Sequence, residues 1–447
     1  MFFWATMPPL GERGLQDLPQ TIDQVDETFM TTVLRRAGVI ATDDEVVMQA
    51  ETDVGMTAGY FSAIKKVRCI YRHATGAPSA FVVKTWPSFE ILPKEAIAAM
   101  FAKDVAAYSF AESTFYPRPT AYLAQFDDKS MRGALVMEDA DSFAHHKVHE
   151  QELTLDEVMR MIPGLVEVAV AWEGCDSGPK AQQLSAMGVD FWASDANLAL
   201  YKQVMPGGAK IFDKATTLSG TSLIGTPWDR YLGGAGICEM FTKKIEAFYR
   251  PTRPDNGATC TLSHGDMRGD NIFFCKEDKR YLDGWLCIDF QLMFRGPVPS
   301  DLAYLMSSGS VLPEVYTGDG RKKVLKAFYD QFMAKTQLYK DYTYYQFERE
   351  FALMTTVIFV YYVGMGAAYW QGAALRNELA GRVELGGKGA TESDLTPVEL
   401  RQRMWWRKAF ANMRENFKDF DYYRWLQRLP DNLQGLGPWV ELPAHLR

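Results

Sequence analysis

Cysteine is scarce in this chain: six residues in 447, at Cys69, Cys175, Cys238, Cys260, Cys275 and Cys287, with no two spaced C-x-x-C. That excludes a disulfide-stapled miniprotein and argues against a zinc ribbon. Four of the six sit in apolar runs (Arg-Cys-Ile, Ile-Cys-Glu, Phe-Phe-Cys, Leu-Cys-Ile), the setting of reduced, buried thiols in the cytosol. Positive charge is in deficit, with 48 Lys+Arg against 56 Asp+Glu and a formal net charge of −8. A nucleic-acid binder needs a basic face against phosphate, so that class is disfavoured. One small anionic ligand in a locally positive pocket is still compatible. There is no internal repeat and no low-complexity tract, and with 47% hydrophobic residues the composition is globular, which removes global disorder. Met1 to Leu10 has an apolar patch but no basic start and no long apolar core, unlike a signal peptide. The run Gly386-Gly387-Lys388-Gly389 has no strand before it and no Ser or Thr after the lysine, so it reads as a loop and not as a P-loop.

What the chain has in quantity is apolar material: 47% hydrophobic residues, with 27 Phe, 21 Tyr and 11 Trp. That is enough for a large core and, at this length, for roughly two to three domains. Phe351 to Leu375 carries no charge and is long enough to span a bilayer. It contains Gly364, Gly366, Gln371 and Gly372, and no basic residues cluster at its flanks. A buried helix in a large domain is therefore expected, with no stable membrane insertion.

Along the chain, residues 1–40 read as an extension with one helix, roughly Ile22 to Ala37. Glu45 to Val54, Ala63 to His73 and Ser79 to Trp86 are strand-like and closely joined, which predicts an antiparallel meander. Lys94 to Glu112 has apolar residues Ile97, Met100, Phe101, Val105 and Tyr108 at helical spacing. Ala134 to Met137 is a short strand stopped by Glu138-Asp139. Leu153 to Trp172 reads as a helix with Pro163-Gly164 inside it, and residues 174–236 as Gly-rich and irregular. Cys238 to Tyr249 is helical, Thr259 to Ser263 and Trp285 to Phe290 are short strands, and from Arg321 on the chain reads as long helices. A stripe at helical period runs through Trp406, Phe410, Met413, Phe417 and Phe420. The expected fold class is α+β: a small antiparallel β-lobe with one main helix over residues 41–138, a hinge near Glu138 to Ala140, and a large, mostly helical lobe over 139–447.

The densest polar information lies between Ser263 and Asp301. It reads His264-Gly265-Asp266-Met-Arg-Gly-Asp270-Asn271-Ile-Phe-Phe, then Cys-Ile-Asp289-Phe-Gln291, then Asp301-Leu-Ala-Tyr-Leu. Asp266 and Asn271 flank a short loop after a strand. Asp289 ends an apolar strand, where a carboxylate without a partner is costly. Oxygen-bearing side chains at successive strand ends suit a hard cation such as Mg²⁺, which takes few protein ligands and keeps phosphate oxygens in its shell. A carboxylate left uncoordinated can orient a hydroxyl and accept its proton. In the small lobe, Lys84 ends a strand on the face that holds Ala80 and Val82. Asp104 lies on the helical stripe of Ile97, Phe101 and Tyr108. Each is a charge beside apolar surface, and pairing Lys84 with Asp104 satisfies both while leaving the ammonium able to touch a phosphate. The loop Gly55 to Ser62, with Gly59 inside it, can lay backbone N–H groups over those phosphates or be a plain hairpin turn.

His-Gly-Asp-x-x-x-x-Asn followed by Ile-Asp-Phe-Gln and Asp-Leu-Ala-Tyr-Leu resembles the aminoglycoside phosphotransferase and choline kinase superfamily. The Asp-Phe-Gln variant is most similar to its ecdysteroid kinase-like (CHK kinase-like) branch. The resemblance covers roughly residues 50 to 306. It implies the protein-kinase fold and transfer of the γ-phosphoryl group of ATP to a hydroxyl of a small molecule. By the same resemblance, Asp266 would be the base in a catalytic loop over 263–274. Asn271 and Asp289 would hold Mg²⁺, the latter within the segment 285–305. Lys84 would contact the α/β-phosphates with Asp104 orienting it; Gly55, Gly59 and Ser62 would cover the nucleotide, and Glu138 to Ala140 would lie near the adenine. His264 and Asp301 would be structural.

The chain departs from the family where Asp104 stands for the usual Glu, with Glu95 as the other candidate. It departs again where Met267-Arg268 stand for Leu-Trp, and where Trp172 stands for a His. Asp270 is either a helper at the metal or acceptor, or a turn residue beside Gly269. His145, His146 and His149 would share one face of a helix, as metal ligands or, preferably, as a solvated face. Trp192, Trp228, Tyr231 and Trp405-Trp406 either line an acceptor pocket or are core. Beside a phosphotransferase, two classes stay open: a non-catalytic nucleotide- or ligand-binding protein of the same fold, and a membrane-associated protein through residues 351–375.

Overall fold

The computed structural model describes residues 18–53, 62–73, 76–86, 94–127, 129–147, 152–203, 243–275, 284–376 and Asn412. Met1 to Leu10, Gly55, Gly59, His149, Trp228, Tyr231, Cys238, the run 386–389, Trp405 and the stripe Trp406 to Phe420 lie outside the described residues. The chain divides into two compact units. The first takes Met1–Glu112, Pro117–His145 and Leu286–Leu292; the second takes Ser113–Tyr116, His146–Trp285 and Met293–Arg447.

The first unit is built on a five-stranded antiparallel sheet of β1 (Val46–Asp53), β2 (Ala63–Tyr71), β3 (Ala80–Thr85), β4 (Ala121–Asp127) and β5 (Arg132–Glu138), in the order β1-β2-β3-β5-β4. In β2, Val67 and Cys69 are buried while Arg68 and Ile70 are exposed, the two-residue period of a half-buried strand. The expected meander is present in β1 to β3. β4 was not legible: Leu123 alone is buried along it, so no alternation marks it.

Helix α1 (Glu27–Arg36) starts where Oδ1 of Asp26 accepts the Phe29 N–H at 2.7 Å, and it ends on Arg35 and Arg36, which oppose the helix dipole. Its Met30, Val33 and Leu34 pack into one core with Val67, Cys69, Phe81, Val83 and Val136 of the sheet. Helix α2 (Lys94–Ala107) buries Ile97, Phe101, Asp104 and Val105.

The chain leaves the first unit through the two-residue strand β6 (His145–His146). These histidines are therefore in a strand and not on a helical face. His146 stacks flat on Phe273 with ring centroids 4.1 Å apart, and its Nε2 bonds the Asp270 carbonyl at 2.7 Å.

In the second unit, Thr154 and Glu157 form a reciprocal cap on helix α3 (Leu155–Ala171), which continues through Pro163. The segment read as irregular contains helix α4 (Gly178–Ala186) and a helical stretch over 195–203. Only Leu184 of α4 is buried, so the apolar stripe that signals a helix is absent. Strand β7 (Thr261–Ser263) leads into the loop of Asp266, and β8 (Ile272–Phe274) leaves it. Strand β9 (Trp285–Cys287) is shorter than the run to Phe290 read from its apolar residues, and β10 (Phe294–Gly296) pairs antiparallel with β7.

Helices α5 (Ser300–Ser307), α6 (Gly318–Lys335) and α7 (Tyr344–Arg376) follow, with α6 packed on α3 and α7 on α5. The uncharged run begins inside α7, where Phe351 to Val360 is buried throughout. Among the described residues no helix is long and apolar enough to cross a membrane.

Candidate active site

In the first unit, Lys84 lies on β3 with Ile64 and Leu135 as its cross-strand neighbours. Its side chain is 3% exposed, and its ammonium lies 2.9 Å from Oδ2 of Asp104 and 2.9 Å from Oδ1 of Asp289. The fallback partner, Glu95, is exposed. Burial by itself would lower the pKa of Lys84, but the charges of Asp104 and Asp289 outweigh it and hold the pKa above its ordinary value. The amine therefore stays charged. Burial pushes the Asp104 carboxyl up; Lys84 opposes this and Asp289 adds to it.

Asp289 lies two residues past the end of β9. Its φ is +73°, a left-handed backbone that costs a non-glycine residue about 1–2 kcal/mol. Three contacts hold it there: the Lys84 ion pair, a bond from Gln291 Nε2 to its Oδ2 at 3.1 Å, and the next N–H, of Phe290, donated to Oδ1 of Asp104 at 2.9 Å. Strain of this kind, held by several bonds at once, is common at functional sites.

In the second unit, Gly265 has φ +82°, which lets the chain turn sharply between His264 and Asp266. The Asp266 N–H donates to Nδ1 of the buried His264 at 3.2 Å. The Asp266 carboxylate is 5% exposed by residue and held on both oxygens. Tyr304 donates its phenol to Oδ1 at 2.7 Å, Arg268 Nε lies 3.2 Å from the same oxygen, and Asn271 Nδ2 donates to Oδ2 at 3.1 Å. Arg268 also reaches Oδ2 of Asp270 at 3.1 Å through Nη1. With its amide nitrogen committed to Asp266, Asn271 presents its oxygen as the acceptor end. Asp301, the second residue of α5, accepts the N–H groups of His264 at 3.1 Å and Gly265 at 3.3 Å, and the phenol of Tyr116. Burial raises its pKa, against the pull of His264, Tyr116 and the two N–H groups.

The remaining expected positions divide. Ser62 is buried just before β2, and Ala140 is buried at the start of a single 3₁₀ turn. Glu138 ends β5, where its N–H donates to the Thr120 carbonyl at 2.9 Å. Between Glu138 and Ala140, the Asp139 carboxylate meets Lys66 Nζ at 3.3 Å. Sequence reasoning missed Tyr304, Tyr116 and Gln291 as partners of Asp266, Asp301 and Asp289. Only Tyr304 left a usable signal: it stands three residues after Asp301, so a helix puts both on one face.

Hard oxygen donors suit Mg²⁺, which takes one or two protein ligands and fills its shell with phosphate and water. Asn271 and Asp289 have that chemistry, and the Asp289 side chain retains 20% exposure. Among the described residues no group of three or more His, Cys, Asp or Glu is arranged to hold a metal by itself.

Residues 196–341 match the model of the ecdysteroid kinase-like family, so the chain is similar to that family over the segment that carries Asp266, Asn271, Asp289 and Asp301. No curated protein matches the chain. Solved structures similar to it include three phosphotransferases or kinases. A mutant of aminoglycoside 2'-phosphotransferase-IIIa with GDP has 13% identity, covers 82% of this chain and 99% of its own, and gives a TM-score of 0.43. An aminoglycoside phosphotransferase from Streptomyces rimosus, with ADP and streptomycin, has 12% identity, 66% and 90% coverage and a TM-score of 0.35. Choline kinase from Streptococcus pneumoniae has 14% identity, 75% and 93% coverage and a TM-score of 0.35.

Proposed function

We propose that this protein is a phosphotransferase that moves the γ-phosphoryl group of ATP to a hydroxyl of a small organic molecule. The observation that carries the reading is the buried Lys84–Asp104–Asp289 cluster. It keeps one ammonium charged and oriented where apolar neighbours would otherwise favour its neutral form, and an oriented, charged lysine is what a nucleotide polyphosphate requires. The family match over residues 196–341 supports the same reading.

In this scheme Lys84 binds the α/β-phosphates and Asp104 orients it. Ser62, with Gly55 and Gly59, covers the nucleotide, and Glu138 to Ala140 borders the base. Asn271 and Asp289 are the oxygen donors for Mg²⁺, which when bound neutralises phosphate charge. Asp266 orients the acceptor hydroxyl and takes its proton as the phosphoryl group transfers in line. Catalysis of this kind is mostly positioning and charge, so few side chains carry it. A cytoplasmic location is supported by the five free, buried cysteines among the described residues, which suit a reducing compartment.

The test is a thermal-shift titration with Mg²⁺ and ATP on wild type, Asp266→Asn and Asp289→Asn, followed by ADP release with primary, secondary and ring-borne alcohols. Wild type and Asp266→Asn should be stabilised alike while Asp289→Asn responds weakly, and only wild type should release ADP at an appreciable rate. No response of any protein to the nucleotide would remove the reading. A response without turnover on any alcohol would leave a ligand-binding protein of the same fold.

A further inference from the structure

Helix α5 grips the Asp266 loop at two points one turn apart. Asp301 holds the loop's backbone through the N–H groups of His264 and Gly265. Three residues on, the Tyr304 phenol holds its side chain, 2.7 Å from Oδ1 of Asp266. Three consecutive residues, 264 to 266, are thus fixed by one helical face. The Tyr304 ring is 3% exposed and packs edge-on against Tyr362 of α7 at 5.7 Å. A phenylalanine would fill the same space, so packing does not account for the hydroxyl. Its partner is the carboxylate assigned above as the base. Burial, and after it the Asp266 charge, keep the phenol protonated far above its ordinary range, so it is a donor at any working pH.

We infer that Tyr304 is a positioning residue for the transfer reaction, locking the rotamer of Asp266 from behind through Oδ1. The inference rests on the phosphotransferase reading, because it gives Tyr304 a role only through Asp266. A carboxylate free to turn about Cβ–Cγ would meet the attacking hydroxyl in the wrong orientation for much of the time, and orientation is where this chemistry gains most of its rate. Arg268 lies against the same oxygen, but it is shared with Asp270. The phenol donates along a rigid ring anchored in a helix.

The experiment is a double-mutant cycle on the full chain: wild type, Tyr304→Phe, Asp266→Asn and the double variant. Single-turnover ADP release from Mg²⁺·ATP, with water as acceptor, gives the rates, and nucleotide affinity and melting temperature are measured in parallel. Tyr304→Phe should slow wild type about tenfold to a hundredfold, as expected for losing a hydrogen bond to a charged group. Nucleotide affinity should hold, and the melting temperature should fall by no more than the loss of one buried hydrogen bond explains. In the Asp266→Asn background the same change should alter the rate by less than about twofold. An equal loss in both backgrounds would make Tyr304 merely structural, and a wild-type rate in Tyr304→Phe would remove its role altogether. Either result leaves the phosphotransferase reading standing. A wild type that binds nucleotide but never releases ADP would overturn that reading, and this inference with it.

Discussion

Oδ1 of Asp104 accepts the backbone N–H of Phe290 at 2.9 Å, across 186 residues of sequence. The same carboxylate holds Lys84 through its other oxygen. One buried side chain thus orients the lysine and also fixes the turn that carries Asp289.

Removing that side chain should be costly. Asp104→Ala strands the Phe290 N–H and leaves Lys84 with a single partner in the core. Losing one partner of a buried ion pair typically costs about 3–5 kcal/mol. Urea unfolding of the variant should show a loss of that order, with nucleotide-induced stabilisation also reduced. A loss under about 1 kcal/mol, the scale of an exposed pair, would mean that the cluster is wetter than its 3% and 5% side-chain exposures indicate.

Glu350 gives a pH dependence whose sign can be worked out. It is fully buried and accepts bonds from the Thr259 N–H and hydroxyl and from the Tyr342 phenol. Burial raises its pKa, and those bonds only partly oppose the rise. The native state therefore binds more protons than the unfolded chain between the unfolded value, about 4.3, and the raised folded value. The stability this group contributes is complete below that window and declines as pH rises through it. Glu350→Gln cannot titrate. The unfolding free energy of wild type minus that of Glu350→Gln should therefore fall as pH increases across the window and then level off. A flat difference would show that Glu350 titrates as in the unfolded chain.

Asp301→Ala should damage the Asp266 loop without touching it directly. The substitution takes an acceptor from the buried N–H groups of His264 and Gly265 and one of two acceptors from the buried Tyr116 phenol, which keeps the Leu262 carbonyl at 3.3 Å. At roughly 1–3 kcal/mol for each buried group left unsatisfied, calorimetry should show a clear drop in melting temperature. ADP release should fall with it. Full stability in the variant would mean that water replaces the carboxylate.

The cysteines should be inert in the native protein. Cys69, Cys175, Cys260, Cys275 and Cys287 are all free and buried. Burial pushes the Cys69 thiol up to about 12, and the thiolate is the reactive form. Cys260 is raised further, first by its contact with Cys175, whose sulfur lies 3.5 Å away. Mass spectrometry after iodoacetamide treatment should find these five unmodified until denaturant is added. Rapid native alkylation of Cys175 or Cys260 would show that the helical unit opens locally.

The sequence by itself determined the elements whose signals are local. β1 to β3, α2, α3 and the strands around Asp266 follow from alternation, helical period and turn residues. The motif from His264 to Asp301 stood out through polar residue types set at strand ends and beside apolar runs, and the structure ties Asp266 and Asp301 together through one buried, hydrogen-bonded loop. Even the Lys84–Asp104 pairing was legible, because each charge sat on an apolar face of its own element and each needed the other.

Tertiary structure alone decided the partners whose signal is spread over long separations. That Asp289 joins Lys84, that Tyr304 reaches Asp266 and that Tyr116 reaches Asp301 depend on strand ends and helix faces meeting after some 38 to 205 residues of chain. No local periodicity encodes such meetings. The backbone at Asp289 is the clearest case. An aspartate in a left-handed turn is locally unfavourable, and its conformation exists because bonds from Lys84, Gln291 and the neighbouring Phe290 N–H outweigh its own preference. Burial created the need for those bonds, and only the folded chain could bring the groups that meet it.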